Sequence, residues 1–199
     1  MNMTALNSEE TALILIEYQN EWISKQGQLR KTLIKDEEQF ESAIENSKVV
    51  LKKARHNKYH IVHVLMKPNL NCSVFGLASL GLNAAIPKAK TWQGSCSDIH
   101  CDFSPEPNEL VVSERIGVSA FSASCLDAYL RNNRISNVII IGFATHVCVE
   151  STLRESHDRG YNTYVVTEAT GAFTNEQKDY FSRNIVHHFD KEIKISDWL

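Results

Sequence analysis

The chain has 199 residues, right for one α/β domain, with 43 % hydrophobic and 23 % charged residues. Its 21 Lys and Arg nearly balance 24 Asp and Glu, a formal net charge of −3 with no basic block, which argues against a nucleic-acid partner. No apolar run approaches the length needed to span a bilayer, and five cysteines at irregular spacing point to reduced thiols and a cytoplasmic setting.

Residues 1–10 are polar and acidic, unlike a signal peptide, and read as a loose lead-in to a single domain spanning 1–199. Residues 11–18 read as a buried first strand that carries a carboxylate, Glu17, near its end. A polar, irregular stretch follows to Lys35. Residues 38–57 place apolar side chains at helical spacing (Phe40, Ala43, Ile44, Val49, Val50, Leu51, Ala54). A second strand is predicted over 59–66. Residues 67–107 then form a long connection that holds all four prolines, and loops of this length are often functional. A third strand is predicted over 109–113, a helix over 122–132 and a fourth strand over 138–141. A helix over 148–159 closes at Gly160. The remaining expectations are a fifth strand over 163–167, a helix over 175–187 with Phe181 and Ile185 inward, and an edge strand over 192–195. Strands alternating with helices imply βαβ units and a parallel sheet with helices on both faces.

The stretch 138–152 organises the rest. Four β-branched residues, Val138, Ile139, Ile140 and Ile141, give way at Gly142 to a tight turn, and Cys148 stands where strand becomes helix. Ligands collect outside the carboxyl ends of parallel strands. Unpaired N–H groups at a helix start lower a thiol's pKa and can hold an oxyanion. Glu17 ends the first strand, Arg115 follows the third and Cys148 the fourth, so one rim of a parallel sheet can bring all three together. A carboxylate, a cation and a thiol form a set suited to nucleophilic hydrolysis.

Four segments resemble the isochorismatase-like cysteine hydrolase superfamily, which includes nicotinamidases and other small amidases. They are Leu13 to Trp22 (LILIEYQNEW), Leu110 to Phe121 (LVVSERIGVSAF), Gly142 to Thr152 (GFATHVCVEST), and Gly160 with Val165 to Ala169 (VVTEA). The third is the most specific, matching a Gly-x-x-Thr-x-x-Cys-Val-x-x-Thr signature. The resemblance implies a three-layer αβα sandwich around a mostly parallel six-stranded sheet. It also implies hydrolysis of a small amide or related C–N bond through a thioester at Cys148. By the same resemblance, Ala144 and Cys148 would supply oxyanion donors in a turn holding a non-proline cis bond at Ala144–Thr145.

Two positions depart from the family pattern. Its aspartate falls on Glu17, and its lysine falls on Arg115, with the Ser119-Ala120-Phe121 anchor favouring Arg115 over Glu114. Glu moves the carboxylate out by one methylene. Arg keeps the charge but cannot relay a proton. A bidentate Glu17–Arg115 pair would compensate. The alternatives are a catalytically silent binding protein on the same fold, or a vinyl-ether hydrolase of the isochorismate type, which leans on the carboxylate and does not need the thiol.

No cofactor is implied. Metal-binding members of the superfamily carry Asp-x-His-x-x-His after the second strand, whereas residues 66–72 read MKPNLNC, so no metal is expected. Cys96, Asp98, His100 and Cys101 cluster in sequence without the second ligand pair usual for zinc. Trp22, Trp92, Phe121 and His146 are candidate pocket walls for a small planar or apolar substrate, and Tyr18 and Gln19 are candidate supports for Glu17. An apolar stretch over 74–86 in the long connection suggests a homo-oligomer.

Overall fold

The computed structural model describes residues 6–68 and 72–198. Its sheet has six strands: β1 (Thr11–Ile16), β2 (His60–Val64), β3 (Leu110–Val112), β4 (Asn137–Phe143), β5 (Asn162–Gly171) and β6 (Lys191–Glu192). Their order is β3-β2-β1-β4-β5-β6 and every pairing is parallel. The helices are α1 (Asn20–Ile23), α2 (Gln28–Leu33), α3 (Glu37–His56), α4 (Gly81–Ala89), α5 (Leu126–Asn132), α6 (Glu150–Asp158), α7 (Asn175–Asn184) and α8 (Val186–Phe189).

Every residue of β1 and β4 is buried, because helices cover both faces of the sheet. The two-residue period of a strand divides those apolar runs between two cores. Leu13, Leu15, Ile139 and Ile141 pack with Phe40, Ala43, Ile44 and Leu51 of α3. Ile14, Ile16, Val138 and Ile140 pack with Leu126 and Leu130 of α5, Leu153 of α6 and Phe181 of α7. This is the three-layer α/β arrangement expected from the sequence.

The topology decides where a site can form. From β1 the chain moves outward to β2 and β3, then returns to β4 on the other side of β1. The connections leaving β1 and β4 therefore diverge and open a crevice at their carboxyl ends. Gly142 draws these ends together. It pairs with Ile16 at φ +129°, and a Cβ there would lie 2.2 Å from the Ile16 carbonyl oxygen. Only glycine tolerates both that dihedral and that approach.

Several boundaries differ from the expectations. The stretch 19–35 is not irregular, since α1 and α2 occupy it. The 67–107 connection holds α4 and three single turns of 3₁₀ helix at Ser73–Phe75, Gly94–Ser97 and Cys101–Phe103. The last strand pairs at Lys191 and Glu192, and the chain then turns into a 3₁₀ helix at Ile195–Trp198. Ahead of β1, Asn7 caps a short turn at Ser8–Glu10.

Candidate active site

β1 stops at Ile16, one residue before the carboxylate. Glu17 takes φ +60°, and its N–H donates to the Val64 carbonyl at 2.8 Å. The side chain is wholly buried at the carboxyl end of the sheet. Trp22 Nε1 donates to its Oε2 at 2.7 Å, so the first turn of α1 fixes one oxygen. The other oxygen, Oε1, accepts from both the Cys148 thiol, at 2.9 Å, and Arg115 Nη2.

Arg115 is buried and reaches Glu17 from the loop after β3. The pair is not bidentate as expected. Arg115 Nη1 donates instead to the Val118 carbonyl at 2.7 Å, Nε has no partner, and Trp22 holds the carboxylate oxygen that a fork would need. The loop is tied to the nucleophile's helix by Thr152, whose hydroxyl accepts from the Ala120 N–H at 2.9 Å and donates to the Cys148 carbonyl at 2.7 Å.

Cys148 sits inside a turn of π-helix, Thr145–Val149, that precedes α6, rather than at the first residue of an α-helix. The cis bond is Phe143–Ala144, one bond earlier than expected, because β4 runs on through Phe143, which still pairs with Gly171. The N–H groups of Val147 and Val149 both donate to the Ala144 carbonyl. Among the described residues, no bond from the Ala144 N–H to another backbone or side-chain group is found, and Cys148 lies inside the same π-turn.

The electrostatics reverse one expectation. Burial, and then the Glu17 charge, push the Cys148 thiol well above its ordinary value, and the opposing pull of Arg115 is smaller. The resting group is a protonated thiol held by a carboxylate, not a preformed thiolate. The sequence displayed the helix start but not the depth of burial. Arg115 is raised: burial is the largest single effect and works against its charge, but Glu17 and Cys148 together outweigh it.

These groups open on a cavity of about 390 Å³. Glu17, Cys148 and Ala144 form its floor, and Trp22, Trp92, Val147 and Phe173 stand among its walls. Leu29 and Leu33 of α2 and Ile86 of α4 complete the apolar lining. Trp22 packs against Phe173 at 6.1 Å and edge-on to Trp92 at 6.4 Å, centroid to centroid. Sequence reasoning missed Phe173, Val118 and the two α2 leucines. The Leu29–Leu33 spacing of four residues was the one available signal.

Other candidates lie elsewhere. Phe121 belongs to the core on the α5–α7 side, stacked 5.9 Å from Tyr161, and is not a cavity wall. His146 points its ring at Phe173, 4.4 Å away, and does not line the cavity. Thr145 is buried in the π-turn with its hydroxyl unpartnered. Tyr18 and Gln19 do not support Glu17. The Tyr18 hydroxyl donates to Ser47 at 2.6 Å, and Gln19 Nε2 donates to the carbonyls of Met66 and Ser97. Of the cysteine-rich stretch, His100, Cys101 and Asp102 bring ligand atoms within 4.8 Å of one another, but Lys48 Nζ already lies 2.7 Å from Asp102. Asn69, Leu70 and Asn71, part of the segment read for metal ligands, lie outside the described residues.

A parallel α/β sheet with a cysteine-centred cluster at its switch point defines the class. Residues 11–196 match the isochorismatase domain, and the chain belongs to that family. It is 33 % identical over 86 residues to the uncharacterized isochorismatase family protein YrdC of Bacillus subtilis, across 42 % of this chain and 46 % of that protein. It is 41 % identical over 69 residues to the ureidoacrylate amidohydrolase RutB of Pseudomonas syringae pv. syringae, across 35 % of this chain and 28 % of that protein. The match thus spans less than half the length of these curated relatives. An isochorismatase-like hydrolase from Alkaliphilus metalliredigens has the same fold, with a TM-score of 0.78 at 23 % identity over 95 % of this chain and 97 % of that one.

Proposed function

We propose that the chain is a hydrolase that cleaves a small amide or related C–N bond through a thioester on Cys148. The observation that carries this reading is the 2.9 Å hydrogen bond from the Cys148 thiol to Glu17 Oε1, with Ala144 and Cys148 both lining the cavity. Glu17 takes the thiol proton as sulfur attacks the carbonyl carbon. The Ala144 and Cys148 N–H groups receive the oxyanion. As the tetrahedral species collapses, the C–N bond breaks and Glu17 returns the proton to the leaving nitrogen. Water, deprotonated in turn by Glu17, then attacks the thioester, releasing the acid and restoring the thiol. Arg115 cannot exchange protons at working pH, so its part is electrostatic: its charge faces the Glu17 carboxyl and fixes its position.

Relatives named as amidohydrolases favour this bond class. The experiment is a screen of small amides and ureides with wild type and Cys148→Ala: turnover by wild type alone supports the reading. The burial that keeps Cys148 protonated favours a second reading, a binding protein on the same fold without turnover. That reading requires saturable ligand binding with no hydrolysis.

Two further parts of the proposal concern setting. The five cysteines are unpaired, in keeping with a reducing, cytoplasmic environment. Leu77 and Leu80 lie exposed just ahead of α4, and Leu82 in its first turn is partly exposed as well, which supports a homo-oligomer that covers them. Sedimentation at micromolar concentration checks this, and a monomer would contradict it.

A further inference from the structure

Two residues that line the cavity each carry a buried polar atom with no partner: Thr91 Oγ1 and Trp92 Nε1. Thr91 is 1 % and Trp92 6 % exposed, so solvent does little for either. They follow α4 in the chain, on a segment held by the Trp92 N–H donating to Glu21 Oε2 at 2.9 Å, with Trp92 at φ +51°. Glu21 also accepts from the Leu29 N–H at 2.7 Å, which joins this segment to the α2 wall. Buried donors without partners are rare in folded proteins and are commonly completed by a ligand or by water. An indole N–H donates only, and a hydroxyl can do either, so together they suit an acceptor atom.

The charge of the lining narrows that acceptor. Among the described residues around the cavity there is no Lys, Arg or His, and Glu17 is the one carboxylate. Arg115 lies behind Glu17 and is already paired with it. An anionic substrate would meet the Glu17 charge in an apolar enclosure without a compensating cation, an unfavourable burial. We propose that Thr91 and Trp92 form a subsite for a neutral hydrogen-bond acceptor of the substrate other than the scissile amide. The substrate class is then an uncharged, largely apolar amide carrying a second acceptor: a carbonyl, ether or ring nitrogen. This rests on the amidase reading for the orientation of the amide toward Cys148.

The test compares three near-isosteric probes, para-acetylbenzamide, para-isopropylbenzamide and para-carboxybenzamide. Binding to Cys148→Ala is measured by calorimetry, and hydrolysis by the wild type is measured in parallel. The acetyl amide should bind roughly tenfold tighter than the isopropyl amide, the worth of one well-made hydrogen bond, and the carboxylate weakest of all. Introducing Trp92→Phe or Thr91→Val into that background should reduce the preference for acetyl over isopropyl and leave isopropyl binding in place. Loss of affinity for both probes alike would mark a structural role for these residues and overturn the subsite. So would equal binding of acetyl and isopropyl amides, stronger binding of the carboxylate, or no saturable binding of the acetyl amide. Binding with the expected preference but no wild-type hydrolysis would overturn the amidase reading and leave the subsite standing.

Discussion

The sheet carries a buried carboxylate paired with an arginine at each of its two ends, and the pair differ in one respect that matters. At the amino end, Glu109 precedes β3 and is fully engaged. Arg55 grips it with both fork nitrogens, at 2.7 and 2.9 Å, His63 Nε2 lies 2.8 Å away and the Glu106 N–H donates at 2.9 Å. Burial would raise this acid, but Arg55, the Glu106 N–H and His63 together hold it down at about 2. At the carboxyl end, Glu17 has one oxygen fixed by Trp22 and the other shared between Arg115 and a thiol. That thiol faces a cavity. A carboxylate whose partners are all part of the framework stabilises; one whose partner can hand it a proton can do chemistry. The end of the sheet where each lies agrees with the rule that ligands meet parallel sheets at their carboxyl ends.

Substitutions that break this contrast should separate activity from stability. Arg115→Ala strands Glu17 as an unpaired buried charge, so unfolding free energy should fall by roughly 3–5 kcal/mol, along with activity. Arg115→Lys keeps the charge and loses the bond to Val118 or the one to Glu17, and should be milder in both respects; denaturant titration and kcat/KM measure the two together. Glu17→Gln should lower kcat/KM by about 10²–10⁴-fold, the usual worth of a general base. Glu109→Gln should do the opposite: kcat unchanged, with stability lower by about 1–3 kcal/mol from donors left unsatisfied.

The two ends also differ in how they respond to pH. Glu109 is depressed below its ordinary value, so its contribution to stability is present above about 4.5 and is lost as pH falls toward about 2. Thermal unfolding from pH 6 to pH 2 should show that loss in wild type and a shallower slope in Glu109→Gln. Cys148 is raised, so it stays protonated and slow to alkylate at neutral pH and reacts faster as pH rises. The exposed Cys101 and Cys125 should label first in the free protein, as peptide mass spectrometry after iodoacetamide would report. Early labelling of Cys148 at pH 7 would contradict the protonated resting state.

How much of this was visible in the chain depends on how local the cause is. β1 and β4 showed as apolar runs because both faces are covered, and α3 showed because 20 residues repeat its period many times. Glu17, Arg115 and Cys148 could be placed on one rim from strand order alone. The short helices α1 and α2 escaped, since one or two turns display almost no periodicity and form only against the rest of the fold. Trp22 was picked out as a wall, but its bond to Glu17 was not, because five residues of chain give no hint that the indole folds back onto the carboxylate. The direction of the Cys148 shift was illegible for the same reason: it comes from packing and from a residue 131 positions away.

The central claim is that the proton Cys148 shares with Glu17 is surrendered when sulfur attacks a carbonyl. Rapid-quench mass spectrometry with whichever amide the screen yields tests it directly, comparing wild type, Glu17→Gln and Cys148→Ala. The account predicts an acyl adduct on the Cys148 peptide of the wild type, formed about 10²–10⁴-fold more slowly in Glu17→Gln and absent, with turnover, in Cys148→Ala. Product release from Cys148→Ala at the wild-type rate would contradict it.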